Sequence, residues 1–406
     1  MAQLFDGLRV LDLGRNVAAP AAAKLFADYG ADVIKVEAPA GDPARRAGPF
    51  LDDEPHPERS ALFLHLNTSK RGVTLDLATA EGQRILRGLA AETDLIVEDF
   101  APGQLASWGL DYKTLAAGHD ELVLCSITPF GQSGPYRDYR ASEITLQAMG
   151  GPLHLNGSRD RYPVKLAGNV AHYHAGVSAA FAMILARLRV EAGGRGDWID
   201  LAVYETQAGF RDRRTVYLTG ASYTGYAAHR QTPGSRTATG VRPAADGYVN
   251  ILGGAKHFAA LLAEIGRPDL IEHEDFGKPL IAHSPEFVEE VEGSYLGWLM
   301  QHTKREVVAK TQALGILGGA LFTTEDLVTD PHYRGREVWE TVEHPSAGTF
   351  EYPGRQLLLS ETPKQPLRPA PLLGQHNETV LVEEHGEALS LTADDLPKLR
   401  ASGVIA

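Results

Sequence analysis

A chain of 406 residues, 43% hydrophobic and 22% charged, has the length for two globular domains with separate cores. Its 39 basic and 52 acidic residues leave a net charge of −13, which argues against broad binding to nucleic acid or an anionic membrane but leaves room for a local basic pocket. The opening MAQLFDGLRVLDLG has no charged segment ahead of an apolar core, and no run of about 18 apolar residues occurs, so neither a signal peptide nor a membrane span is expected.

LRVLDL at residues 8–13 reads as a strand, GRNVAAP as a loop, residues 21–29 as a short helix stopped by Gly30, and ADVIKV at 31–36 as a second strand. Such a βαβ unit implies parallel strands joined by a right-handed crossover. The loop lacks G-x-G-x-x-G, so the dinucleotide fingerprint is absent, yet it sits at the carboxyl end of a strand, where open α/β sheets bind ligands. Asp42, Arg45 and Arg46 follow in a Pro/Gly-rich segment, where the arginines either face phosphate or are solvated. Lys70 and Arg71 precede a strand at 73–77. A helix at 80–91, a strand at 94–98, a turn at 100–103, a strand at 122–127 and the loop TPFGQSGP come next. Cys125, the only cysteine, lies in that last strand. It can form no intramolecular disulfide, reads as a core residue, and fits a reducing cytoplasm. Glu143 opens a helix through residue 149, where the helix dipole favours an acid. The alternation of strand and helix predicts a doubly wound α/β domain.

The stretch PVKLAGNVAHYHAGVSAAFAMILARLRVEAGGRGDWIDLAVYET, residues 163–206, stands out. Residues 175–188 are apolar or small with no recurring polar face, which predicts a helix buried all round. Gly193, Gly194 and Gly196 end it, and residues 198–204 suit a strand. His172 and His174 stand at its mouth, either as capping and packing residues or at a place suited to an anion or a tuned side chain. The two histidines lack a Cys/His cluster, so no metal is expected. Residues 207–245 show no clean period and read as an extended linker. Its basic knot Arg211, Arg213 and Arg214 either is solvated or meets a carboxylate of a partner subunit or substrate. DGYVNIL at 246–252 begins a smaller unit with helices near 257–265, 285–299 and 304–314, and PLRPAP at 366–371 is a proline-rich link to two terminal helices near 379–383 and 393–401.

GLRVLDLGRNVAAPAAAKLFADYGADVIKVEAPAGDPAR resembles the N-terminal signature of class III CoA-transferases, the CaiB/BaiF superfamily that includes formyl-CoA transferase and α-methylacyl-CoA racemase. LNTSKRGVTLDL, DLIVEDFAPG, SITPFGQSGPY, GRGDWIDLAVYE and PAPLLGQHNETVL match further blocks in the same order. The resemblance implies a Rossmann-like, doubly wound large domain built from both chain ends, 1–206 and 331–406, with the 207–245 linker and a small α+β middle domain at 246–330. It also implies an interlocked homodimer in the cytoplasm. It makes coenzyme A and acyl-CoA the substrates rather than permanently bound cofactors, and a small carboxylic acid the other partner. Arg15, Asn16, Val17 and Ala18 match the loop that passes the CoA, and Lys70 and Arg71 a basic block near the nucleotide. Asp99 and Phe100 stand where the family often has Asn-Phe at the adenine. Arg140 stands where some members have a CoA-contacting lysine, and Ser107 where many have arginine.

The resemblance breaks at the chemistry. Family transferases attack the thioester with an aspartate carboxylate; that position is His172 here, and the family's upstream acid is Glu143. No aspartate lies between Asp160 and Asp197, and Ser142 replaces the histidine of the racemase branch. The leading expectation is an acyl-CoA enzyme transferring CoA to a carboxylic acid, with His172 as general base or acyl acceptor and Glu143 as its orienting group or as the acid. The alternatives are an isomerase, decarboxylase or thioesterase acting on acyl-CoA, and a non-catalytic binder.

Overall fold

The computed structural model describes residues 3–209, 220–225, 230, 237–252 and 255–406. Arg211, Arg213 and Arg214 lie outside them. The chain forms two compact units, one from Met1–His154, Lys165–Ala227 and Gly335–Ala406, the other from Leu155–Val164 and Ala228–Arg334. No helix among the described residues is long and apolar enough to cross a membrane.

The larger unit is built on a parallel sheet of β1 (Arg9–Asp12), β2 (Asp32–Glu37), β3 (Arg71–Thr74), β4 (Leu95–Glu98), β5 (Val123–Thr128) and β6 (Trp198–Ala202), in the order β3-β2-β1-β4-β5-β6. The strand sequences are near-continuous runs of Val, Ile and Leu because both faces are covered. Successive side chains feed opposite cores. Leu11, Ile96 and Leu124 join one with Ile85, Leu86, Val380, Leu389 and Leu399, so the two chain ends share it. Val10, Val97 and Cys125 join the other, with α1 (Ala18–Ala27) and the long helix Val170–Glu191. An antiparallel hairpin, Trp339–His344 with Gly348–Pro353, also belongs to this unit.

Two sequence expectations change. Helix α2 (Val170–Glu191) is not buried all round: Ala175, Gly176, Ala179 and Met183 face the core, but Val177, Phe181, Leu185 and Leu188 are 54%, 60%, 51% and 54% exposed. An apolar sequence marks a helix that avoids water; which surface covers each face is a tertiary matter. The expected strand at 198–204 stops at Ala202, and Val203 and Tyr204 start a helix, Val203–Gly209. The smaller unit holds an antiparallel sheet of Thr239–Ala244, Gly247–Leu252 and Leu317–Ala320 over the helices Phe258–Glu264, Pro285–Leu299 and Lys304–Ala313. Its core is Val249, Ile251, Leu261, Phe287, Val291, Tyr295 and Val307. The 207–245 segment is therefore not a plain linker, since its last residues supply a strand whose alternation is masked by Gly240 and Pro243.

Candidate active site

The strand order reverses between β1 and β4, and in open α/β sheets the ligand crevice lies at the carboxyl ends of the strands at such a point. The segments leaving those two strands meet. The Arg15 N–H donates to Asp99 Oδ1 at 2.8 Å, its Nη2 donates to the Asp99 carbonyl oxygen at 3.3 Å, and its guanidinium lies 4.8 Å from the Phe100 ring centroid. Asn16 adopts φ +57°, and Val17 and Ala18 turn inward as α1 begins. Burial raises the Asp99 carboxyl to about 7, against the pull of Arg15 and Lys35. A half-protonated carboxyl offers both a donor and an acceptor.

Beneath the loop lies a network of buried charges. Lys35 bonds Asp42 at 2.8 Å, and Lys70 bonds Asp12 at 2.8 Å, Asn67 Oδ1 at 2.9 Å and the Pro20 carbonyl oxygen at 2.9 Å. Lys70 is thus sealed from any ligand. Burial lowers its ammonium to about 8, with Asp12 opposing. Arg71 spends its guanidinium on Asp32, at the amino end of β2, and on Glu384, each at 2.6 Å. Both side chains of the expected basic block are thus engaged by protein partners, Lys70 just before β3 and Arg71 at its first residue. Arg45, expected at phosphate or in solvent, does neither: it is buried on Phe63 and paired to Glu37 at 2.7 Å and Glu58 at 2.6 Å.

Helix α2 crosses α1 with backbone contact. A Cβ on Gly176 would lie 2.6 Å from the Ala18 carbonyl oxygen, so glycine is required there. His172 lies four residues earlier, about 6 Å along the axis. The amino ends of the two helices, one carrying the loop and one carrying His172, are therefore neighbours. Glu143, the first residue of α3 (Glu143–Met149), accepts the Ala171 N–H at 2.7 Å and Gln147 Nε2 at 2.6 Å through Oε1, while Oε2 lies 2.6 Å from His172 Nδ1. Burial would raise this carboxyl, but the bonds from His172, Ala171 and Gln147 outweigh it and hold it at about 2. A carboxyl held this low is ionised at neutral pH and is suited to accept from His172 Nδ1 rather than to supply a proton. The His172 side chain is 29% exposed.

His174 Nδ1 lies 3.2 Å from Gln207 Nε2. Cys125 is buried, which pushes its thiol up. Arg140 is exposed in the segment leading to α3, and Ser107 donates to the Gln104 carbonyl oxygen at 2.7 Å. A cleft of about 360 Å³ beside Glu98, Ser126, Gln132 and Trp198 does not include His172. Among the described residues no three His, Cys, Asp or Glu side chains form a metal cluster. Sequence reading missed Lys35 and Gln147, and left Asp42 without a role. Nothing in a sequence distinguishes a buried lysine in a strand from a solvated one.

A profile of CoA-transferase family III matches residues 5–377. The chain is 30% identical to the succinyl-CoA–D-citramalate CoA-transferase of Chloroflexus aurantiacus, over 98% of each chain. It is 31% identical to the succinate–glutarate CoA-transferase of Agrobacterium fabrum, over 93% of this chain and 95% of that one. It is 32% identical to the formyl-CoA:oxalate CoA-transferase of Streptomyces avermitilis, over the whole of both. Among solved structures it resembles a CaiB/BaiF family protein from Brucella suis, with a TM-score of 0.82 and 28% identity over 94% of this chain and 99% of that one. Rv3272 from M. tuberculosis gives a TM-score of 0.76 and 26% identity over 93% and 98%. With a parallel sheet whose order reverses between β1 and β4 and matches along nearly the whole length, the chain belongs to CoA-transferase family III and is a CoA-transferase enzyme.

Proposed function

We propose that the protein transfers CoA from an acyl-CoA to a small carboxylic acid, with the Glu143–His172 pair in the place of the family's aspartate. The 2.6 Å contact between Glu143 and His172 Nδ1 carries the reading. The carboxylate directs the Nδ1 proton, so His172 Nε2 presents a lone pair to the thioester. In the first step a C–N bond forms at the thioester carbon, the C–S bond breaks, and CoA leaves as the thiolate. The acceptor carboxylate then displaces the imidazole and gives a mixed anhydride. The thiolate attacks the acceptor's carbonyl carbon, the new thioester forms, and the donor acid departs. Several relatives are named for succinyl-CoA, which makes it the first donor to try.

The same pair favours a second reading. An imidazole held by a carboxylate also activates water, and the outcome is then thioester hydrolysis. Succinyl-CoA incubated with and without acceptor acids separates the two: transfer requires an acceptor, hydrolysis does not. His172→Ala removes the attacking nitrogen and reduces either activity by about 10²-fold or more; unchanged turnover in that variant sinks both.

The reading places Arg15, Asn16, Val17, Ala18, Asp99, Phe100 and Arg140 along the CoA and makes the enzyme a cytoplasmic, interlocked homodimer. The exposed stripe of α2 supports a second copy, since it is the kind of apolar surface that a partner covers.

A further inference from the structure

In dinucleotide folds the N–H groups of the first strand-to-helix turn point at the ligand's pyrophosphate. Here three consecutive ones point at protein carboxylates. The Gly14 N–H donates to Asp12 Oδ1 at 2.9 Å, that of Arg15 to Asp99 Oδ1 at 2.8 Å, and that of Asn16 to Asp42 Oδ1 at 2.9 Å. The three acids come from the end of β1, the segment after β4 and the segment after β2. A phosphate therefore finds none of these donors. What the turn offers outward is the Arg15 guanidinium, whose side chain is 45% exposed against Phe100.

Asp42 holds the awkward point of this turn. Asn16 sits in the left-handed region, which residues other than glycine populate reluctantly. Asp42 is itself fixed. It is buried, Oδ1 also accepts the Ala44 N–H at 2.8 Å, Oδ2 accepts Lys35 Nζ at 2.8 Å, and its own N–H donates to Glu37 Oε2 at 2.8 Å. Lys35, fully buried, also donates to the Gly14 carbonyl oxygen. One buried ion pair thus grips the turn at Gly14 and at Asn16. We propose that Asp42, backed by Lys35, is a positioning residue for nucleotide recognition: it locks the Gly14–Asn16 turn inward, so that phosphate recognition falls to a pre-aimed Arg15. This inference rests on the reading that CoA lies against the loop.

Asp42→Asn tests it. The amide has one oxygen, which can serve Lys35 or the two backbone donors but not both. Hydrogen exchange at the Asn16 amide accelerates, and free CoA and adenosine 3′,5′-bisphosphate both bind about 10- to 100-fold more weakly, the worth of one hydrogen bond to a charged group. Faster exchange with unchanged CoA affinity overturns the proposal. Should that variant not fold, Asn16→Ala, an exposed-loop change that makes the left-handed turn harder to hold, must also weaken CoA binding; unchanged affinity there is equally fatal. Arg15→Gln tells the two readings apart. If it leaves CoA affinity intact, the loop does not read the nucleotide and both readings fall; if it weakens binding while Asp42→Asn does not, only the role of Asp42 falls.

Discussion

Glu143→Gln removes one charge and keeps the shape, so its effect reads out what the carboxylate does. Three donors converge on it: His172 Nδ1 and Gln147 Nε2 at 2.6 Å, and the Ala171 N–H at 2.7 Å. A carboxylate serves all three; an amide has one oxygen. If that oxygen stays on Ala171 and Gln147, the NH2 group faces His172. The ring then turns the Nδ1 lone pair toward it and carries its proton on Nε2, the atom that has to attack. The same wrong-tautomer effect in a serine-protease triad costs about 10⁴ in kcat, so a loss of about 10²–10⁴ is expected for a ring that is partly exposed. The proposed CoA contacts lie on the loop after β1 and not at Glu143, so KM stays within about threefold. The assay is initial-rate transfer from succinyl-CoA to a panel of dicarboxylic acids, with the tautomer read independently by 15N NMR of the imidazole. A kcat within about fivefold of wild type, or a defect confined to KM, refutes the assignment of His172 Nε2 as the attacking atom.

The same pair sets a pH dependence. Glu143 is held at about 2 against an ordinary 4.5, so its contribution to stability is present above pH 4.5 and lost as the pH falls toward 2. Denaturant unfolding of the wild type should lose about 2 kcal/mol over that window that Glu143→Gln does not lose; parallel curves for the two proteins contradict it. Lys70→Met takes from buried Asp12 its 2.8 Å partner, leaving it the Gly14 N–H and Lys35 at 3.8 Å, and should cost about 3 kcal/mol in unfolding free energy, the low end for a broken buried pair. A variant of unchanged stability that binds CoA less well would instead make Lys70 a ligand contact. Phe181→Glu puts a charge into the exposed stripe of α2 and should leave chains refolded from denaturant monomeric in sedimentation, because interlocked chains pair only as they fold; a dimer's mass means that the stripe is not the contact.

The sheet was legible because each strand carries its own signal. LRVLDL, ADVIKV and DLIVE are short apolar runs bounded by turn residues, and their spacing leaves room for one helix between neighbours. The site was legible only where the backbone decides. Residues 15–18 and 99–100 leave the carboxyl ends of β1 and β4, so the fold brings them together whatever their side chains do. The ion pairs of Lys70 and Arg71 were not legible, because they depend on which carboxylates the fold sets beside them, and charge in a sequence looks the same whether solvated or buried in an ion pair. Helix α2 shows the same limit for apolar residues. Its composition records that both faces avoid water, yet the folded chain covers only one of them.

The two histidines show how far a substitution can be read. Both stand within the first five residues of one helix, and residue type gives no reason to prefer either. What separates them is the neighbour each meets. His174 meets the amide of Gln207 and is held as a packing residue, whereas His172 meets a carboxylate that three donors keep ionised. An aspartate at position 172 would put a second negative charge beside Glu143, whereas a histidine takes that carboxylate as its partner. Exchanging aspartate for histidine therefore changes the part Glu143 plays, from the neighbour of a like charge to the group that aims the ring. On this argument the nucleophile position and its upstream acid form one functional unit, and a substitution at either is to be judged by what it does to the other.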